Sequence, residues 1–275
     1  MNNTVVGNFK RFNASLLYLP TFLLLALLAF LYTRDSLSKE AYVNFQKEFF
    51  LSLNANLANY PSTLNNLTQL GDAMVILSFL AIFIIYAPKM WEALITSSII
   101  SAIIVCSLKP IFAIQRPAAA FGSENLSIIG RKLMGSNSFP SGHSVTVFTV
   151  LTVFLIAFMP KKIKFQIIWS VSIFLFGIIL ILTRIGVGAH HPIDVAVGAI
   201  IGYLSAILGI SINKRLNIWG WIGNKKFYPV FMATFLTCCI VLVFKIISVN
   251  LIVFYFALIS LLISLFLISR LYVKK

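Results

Sequence analysis

Eight apolar stretches, each near the length of about 20 residues that a helix needs to cross a hydrocarbon core, restrict the fold of this chain more than any other feature. They are Ser15–Tyr32, Asp72–Ala87, Trp91–Leu108, His143–Met159, Phe165–Thr183, Pro192–Ile212, Tyr228–Ile247 and Leu251–Ser269. The second is short and begins on an aspartate. Composition agrees: 60% of the 275 residues are hydrophobic and 11% are charged, where a soluble domain carries about 25% charged residues. Surface that never meets water accounts for the shortfall. The sequence therefore predicts an all-α, polytopic membrane helix bundle.

The net charge of +15, from 22 Lys and Arg against 7 Asp and Glu, falls mainly in the short gaps between apolar runs. Basic residues there set topology and meet anionic lipid head groups. No basic stretch interleaves with exposed aromatics on a soluble surface, so nucleic acid is not expected as a partner, and the sequence gives no protein partner. With the N-terminus inside, the inner set is Lys10, Arg11, Lys89, Lys161, Lys162, Lys164, Lys214, Arg215, Lys225, Lys226, Arg270, Lys274 and Lys275, 13 of the 22. The outer nine are Arg34, Lys39, Lys47, Lys109, Arg116, Arg131, Lys132, Arg184 and Lys245. The bias predicts a cytoplasmic N-terminus. The first run is long and lacks a small-x-small cleavage site after it, so it is expected to be a retained anchor. Cys106, Cys238 and Cys239 all lie in apolar runs, which fits neither a disulfide framework nor a zinc site.

Three parts follow: residues 1–71, an anchor helix with an outer interfacial segment; 72–212, a helical core; and 213–275, a cytoplasmic linker with two C-terminal transmembrane helices. Phe45, Phe49 and Leu53 recur every four residues within the first part. This stripe fits either an amphipathic helix on the membrane surface or packing against the bundle. No internal repeat or low-complexity linker is present.

Three polar clusters fall at outer helix ends. They are Lys109 to Arg116 and Pro117; Pro140-Ser141-Gly142-His143; and Thr183-Arg184 through His190, His191 and Asp194. The predicted topology puts all three in one layer at one membrane face. Ionisable residues so placed are a functional hypothesis by default. Lys109, Arg116 and Arg184 supply three positive charges for phosphate oxygens, with the Arg forks able to bind two at once. Lys109 and Arg116 are seven apart, which on a continuous helix gives them one face, although Pro110 interrupts. Ser141 and Gly142 precede a span whose free N–H groups and dipole favour an anion. His190 and Asp194, at i,i+4 spacing, would meet on a helix; the carboxylate would fix the imidazole tautomer and leave the other nitrogen free to attack phosphorus. His143 can protonate the leaving oxygen. His191 reads as structural or auxiliary, and Asp72 and Glu92 as caps or interface residues. Of the acidic residues only Asp194 lies in the clusters, so no two-metal carboxylate cage is expected, and no cofactor is implied.

These clusters resemble the three signature motifs of the type 2 phosphatidic acid phosphatase (PAP2) superfamily, which also includes the vanadium haloperoxidases: Lys-x6-Arg-Pro, Pro-Ser-Gly-His and Ser-Arg-x5-His-x3-Asp. Lys109, Arg116 and Pro117 match the first, Pro140 to His143 the second, and Arg184, His190 and Asp194 the third, with Thr183 in place of the usual Ser. The resemblance runs from Lys109 to Asp194 and implies a six-helix core, with the last two helices extra. It implies a metal-independent lipid phosphatase with His190 as nucleophile, His143 as acid and base, and a phosphohistidine intermediate. Its substrate would be a phosphorylated lipid such as undecaprenyl diphosphate, a lipid A phosphate, phosphatidylglycerophosphate or phosphatidic acid. In a bacterium the site would face the periplasm from the inner membrane. The motifs do not separate a hydrolase from a lipid-to-lipid phosphotransferase, and a transporter or scaffold that kept the motifs is a further reading. Charges at span ends and the absence of a repeat weigh against transport.

Overall fold

The computed structural model describes residues 1–273; Lys274 and Lys275, assigned above to the inner side, lie outside the described residues. Thirteen α-helices follow in order, and among the described residues there is no strand. They are α1 (Asn2–Arg11), α2 (Tyr18–Thr33), α3 (Lys39–Leu57), α4 (Pro61–Thr68), α5 (Ala73–Leu80), α6 (Phe83–Tyr86), α7 (Pro88–Phe112), α8 (Pro117–Phe121), α9 (Gly142–Ala157), α10 (Ile163–Gly186), α11 (Pro192–Arg215), α12 (Tyr228–Val249) and α13 (Ile252–Val273).

Among the described residues, six helical segments are long and apolar enough to cross a membrane: Ser15–Thr33, Pro88–Phe121, Ile163–Gly186, Pro192–Arg215, Lys225–Val249 and Ile252–Val273. Two of the eight expected spans are shorter. Helix α9 has 16 residues, and its near-complete burial follows from being enclosed by α7, α10 and α11. The stretch Asp72–Ala87 is broken into α5 and α6. Two side chains occupy carbonyls at the break: the Trp91 indole donates to Leu80 O at 2.9 Å, and the Ser260 hydroxyl to Ser78 O at 3.0 Å. Such insertion into the hydrogen-bond ladder interrupts a helix without proline.

Helices α7, α9 and α11 form the centre. The α9–α11 contact depends on glycine. A Cβ on Gly202 would lie 2.4 Å from Val145 O, and one on Gly198 would lie 2.7 Å from Ser141 O. The four-residue spacing of these glycines lets two backbones touch, the usual device where lipid supplies no hydrophobic drive between helices. The two C-terminal helices pair with each other, and α13 lies on α5, with Phe254, Ala257 and Leu261 buried in the main core.

Helix α3 is amphipathic, and the stripe singled out in the sequence lies along the margin of its buried side. Leu53 packs half-buried against the core and Phe45 lies edge-on to Phe30 of α2, while Phe49 is 63% exposed. Tyr42, Val43, Gln46, Phe50 and Asn54 are the residues that pack inward. Basic residues gather at both ends of the bundle. Lys214 Nζ reaches Lys10 O (3.2 Å) and Lys89 Nζ reaches Asn217 (3.0 Å) at one end of the bundle. Lys109, Arg116, Arg184 and Lys245 lie at the other, since Lys89 and Lys109 sit at opposite ends of α7 and a rise of about 1.5 Å per residue separates them.

Candidate active site

The starts of α9 and α11 and the ends of α7 and α10 meet at one end of the bundle. The close α9–α11 crossing is locked there by a backbone bond from Ser141 N–H to Asp194 O, 3.0 Å. Ser141 is fully buried and caps α9, its hydroxyl accepting from Ser144 N–H (3.4 Å) and from the Ser144 hydroxyl (3.0 Å). The next two backbone N–H groups, of Gly142 and His143, have no partner among the described residues. They are the free donors that make a helix start attractive to an anion.

Lys109 and Arg116 do not share a helix face. Helix α7 ends at Phe112, with Ala113 in the left-handed region (φ 47°), and Arg116 is the residue before α8. Asn137 brings them together instead: Lys109 Nζ donates to its carbonyl (2.8 Å) and Arg116 Nε to its Oδ1 (2.6 Å). Arg116 Nη1 also donates to Ala189 O (3.0 Å), which holds the guanidinium against the third cluster. Arg184 is 6% exposed and bonds through Nη1 to the Thr68 hydroxyl. Its Nε has no partner, an unused donor in a buried cation. The Thr183 hydroxyl bonds back to Leu180 O within its own helix.

His190 and Asp194 face each other, although not as two residues of one helix. Helix α11 begins at Pro192, with His191 at its cap and Asp194 in its first turn. His190 precedes the cap, which leaves Nδ1 at 3.7 Å from Asp194 Oδ2, too long for a hydrogen bond. The Ser138 hydroxyl lies against both groups. It donates to Asp194 Oδ2 at 2.6 Å and stands 3.4 Å from His190 Nδ1. Asp194, fully buried, also accepts the Tyr42 phenol on Oδ1 (2.7 Å) and the His191 N–H on Oδ2 (3.0 Å). Three donors thus hold a carboxylate with no access to water, the condition on which a buried charge is tolerated. Burial, helped by the charges of Arg184 and Arg116 and partly opposed by Asp194, lowers the His190 pKa to about 3. The ring is therefore neutral at ordinary pH. With Nδ1 on the Ser138 and Asp194 side, Nε2 carries the ring's lone pair, whose one hydrogen-bonding neighbour among the described residues is the Arg116 Nη1 donor at a long 3.5 Å.

His191 is fully buried, with Nδ1 unpartnered among the described residues. Its Nε2–H donates to Gln115 O at 3.0 Å, and its ring sits edge-on to Phe50 and Phe121. His143 is half-buried on the first turn of α9. Gly71 packs so closely on it that a Cβ there would come within 2.7 Å of the imidazole. His143 lines a cavity of about 440 Å³ with Arg184, Thr68 and Ala189, and another of about 410 Å³ that follows α7 and α9 past Ser101 and Thr146.

Four contributors were invisible to motif reading: Tyr42, Thr68, Asn137 and Ser138. Ser138 and Asn137 lie just before the Pro140 cluster, where proximity was the one available signal. Tyr42 and Thr68 come from helices far from the motifs in sequence. Among the described residues no group of three or more His, Cys, Asp or Glu side chains is arranged to hold a metal. Chemically, the site offers three cations and unpartnered helix N–H groups to an anion, and one neutral, braced imidazole as a nucleophile.

Residues 90–218 match the model of the PAP2 superfamily. A stretch of 71 residues is 44% identical to the bacitracin transport permease protein BcrC of Bacillus licheniformis, covering 26% of this chain and 31% of that protein. A stretch of 100 residues is 32% identical to a lipid A 1-phosphatase of Rhizobium etli, covering 34% and 39%. These alignments span less than half of either relative. The crystal structure of Aquifex aeolicus LpxE is similar over 61% of this chain and 95% of its own, with 27% identity and a TM-score of 0.49.

Proposed function

We propose that this chain, whose residues 90–218 match the model of the PAP2 superfamily, is an integral membrane lipid phosphatase that works through a phosphohistidine on His190. The helical core of 72–212 carries the chemistry, and the N- and C-terminal parts support it. One observation carries the reading: His190 is buried and neutral, has Nδ1 turned toward Ser138 and Asp194, and presents Nε2 beside the Arg116 guanidinium. A nucleophile needs a free lone pair held by a third group, and here the electrophile's charge is met by the adjacent cation.

In the proposed reaction, Lys109, Arg116 and Arg184 take the non-bridging oxygens, together with the N–H groups of Gly142 and His143. Holding them in place stabilises the charge spread over the phosphoryl oxygens in the transition state. The Nε2–P bond of His190 forms as the P–O bond to the leaving group breaks. His143 gives its proton to the departing oxygen. Water, losing a proton to His143, then cleaves the N–P bond and releases phosphate. The substrate is a phosphomonoester or diphosphate of a lipid, whose apolar part reaches the site from the bilayer. The site faces the periplasm or exterior of a bacterial inner membrane, with the N-terminus in the cytoplasm, which follows from the 13-to-9 distribution of basic residues.

The test is phosphate release by purified protein from a panel of lipid phosphates in EDTA without an acceptor lipid. Wild type is expected to release phosphate and to trap an acid-labile phosphoenzyme, and His190→Ala to do neither while remaining folded. A folded His190→Ala variant with an unchanged rate would refute the mechanism. Transfer to a lipid acceptor with no free phosphate would reassign the protein as a phosphotransferase.

A further inference from the structure

The cavity of about 440 Å³ that opens on His143 holds more positive charge than one phosphoryl group requires. Beside the His143 ring it is lined by three basic side chains, Arg184, Arg131 and Lys245, with Asn65 and Gln69 as neutral polar neighbours; the one carboxylate close by, Asp72, pairs with Lys245. Arg131 is exposed and makes no hydrogen bond or ion pair among the described residues. Lys245 belongs to α12, outside the matched segment 90–218.

Lys245 is held in place beside His143. Its Nζ lies 2.7 Å from Asp72 Oδ2, while Asp72 Oδ1 caps α5 through Met74 N–H at 2.9 Å. Asp72 follows Gly71, the residue packed against the His143 ring. The carboxylate is thus anchored by a helix start and fixes the ammonium at the cavity wall. An ammonium has three donors; one is used by Asp72, and the ion pair is about 30% exposed on both sides, 29% and 32%. On its cavity side the ammonium lies 5.4 Å from the Phe254 ring centroid and has no second hydrogen-bond partner among the described residues.

The position relative to His143 gives these charges a role. If His190 attacks and His143 protonates, as proposed above, the leaving group departs on the His143 side, toward Arg131 and Lys245. An alcohol leaving group develops one charge, which the His143 proton cancels. A phosphate leaving group carries further negative charge that a proton alone does not cancel. We infer that Arg131 and Lys245 form a second anion subsite for the leaving group, which selects a lipid diphosphate over a lipid monophosphate. The terminal P–O(bridge) bond breaks as Nε2–P forms, and the bridging oxygen leaves on the lipid monophosphate with both bonding electrons. This rests on the phosphatase reading above.

The experiment uses farnesyl diphosphate and farnesyl monophosphate, which share one tail, with full-length protein in detergent. Wild type is expected to favour the diphosphate. Arg131→Gln and Lys245→Met are each expected to lower kcat/KM for the diphosphate by about tenfold, the order that follows from losing a charge-assisted hydrogen bond. The monophosphate should change by less than about twofold. Inorganic pyrophosphate should inhibit wild type more strongly than inorganic phosphate, and that advantage should vanish in Arg131→Gln. Arg131 is exposed, so its substitution keeps the test open if Lys245→Met fails to fold. A wild-type preference for the monophosphate, or parallel losses on both substrates, or no loss on either, overturns the subsite while leaving the phosphatase reading standing. Release of phosphate from neither lipid overturns that reading and this inference with it.

Discussion

Replacing Tyr42 with Phe tests whether α3 is part of the catalytic apparatus. Asp194 has no access to water and depends on three donors, at 2.6, 2.7 and 3.0 Å. Tyr42 is the donor on Oδ1 that arrives from outside the matched segment. Losing a hydrogen bond to a buried charge costs about 1.5–3 kcal/mol. If that energy serves to hold the carboxylate where it steadies the His190 ring as it gains positive charge, kcat/KM falls by about 10- to 150-fold. Phe keeps the ring and its edge-on contact with Phe139, at 5.9 Å and 85°, so packing is conserved. Burial raises the Tyr42 pKa well above its usual value, and the Asp194 charge adds to the rise. The phenol therefore stays a donor across the working range, and the variant's pH–rate profile should be lower with the same shape. The assay is phosphate release between acidic and mildly alkaline pH, with a thermal melt in detergent as the folding control. Phe49→Ala, on the outward face of α3, should leave the rate unchanged. A folded Tyr42→Phe protein whose kcat/KM stays within about twofold of wild type would show that the orientation of Asp194 does not depend on α3.

Other outcomes follow from the same geometry. Ser138→Ala removes the hydroxyl that lies against both His190 and Asp194, and kcat/KM should fall by about tenfold or more; combined with Tyr42→Phe the losses should be non-additive, because both act on one carboxylate. His190 has a folded pKa of about 3 against an ordinary 6.5, so the unfolded chain takes up a proton first as pH falls. The stability this group contributes is complete above pH 6.5 and lost on acidification toward 3, and His190→Gln should show a shallower fall in Tm than wild type over the acidic half of that window. Gly202→Ala places a Cβ 2.4 Å from the Val145 carbonyl, so α9 and α11 must separate. The expected cost is about 1–3 kcal/mol, read as a lower Tm, with a loss of activity because His143 stands on α9 and His190 in the turn that leads into α11. Activity should persist in EDTA, since Asp194 already has its oxygens taken by three protein donors; loss restored by a divalent ion would contradict this.

The sequence by itself settled the helical bundle, because runs of uncharged residues near membrane-crossing length permit little else. It also brought forward Lys109, Arg116, His143, Arg184, His190 and Asp194 as candidates, because few other polar residues interrupt or border those runs in patterned groups. The tertiary structure decided how they meet. Spacing placed Lys109 with Arg116 and His190 with Asp194 as helical neighbours, yet both pairs straddle a helix end, and Asn137 and Ser138 join them from a loop. Asp72–Ala87 looked like one span until Trp91 and Ser260 took the carbonyls at its break. The apolar stripe of α3 was legible as a period, but the face that meets the site was not, since Tyr42 gains its meaning from Asp194, a partner 152 residues away. Local periodicity records which residues avoid water; only long-range packing determines which polar atoms, once dry, must satisfy one another.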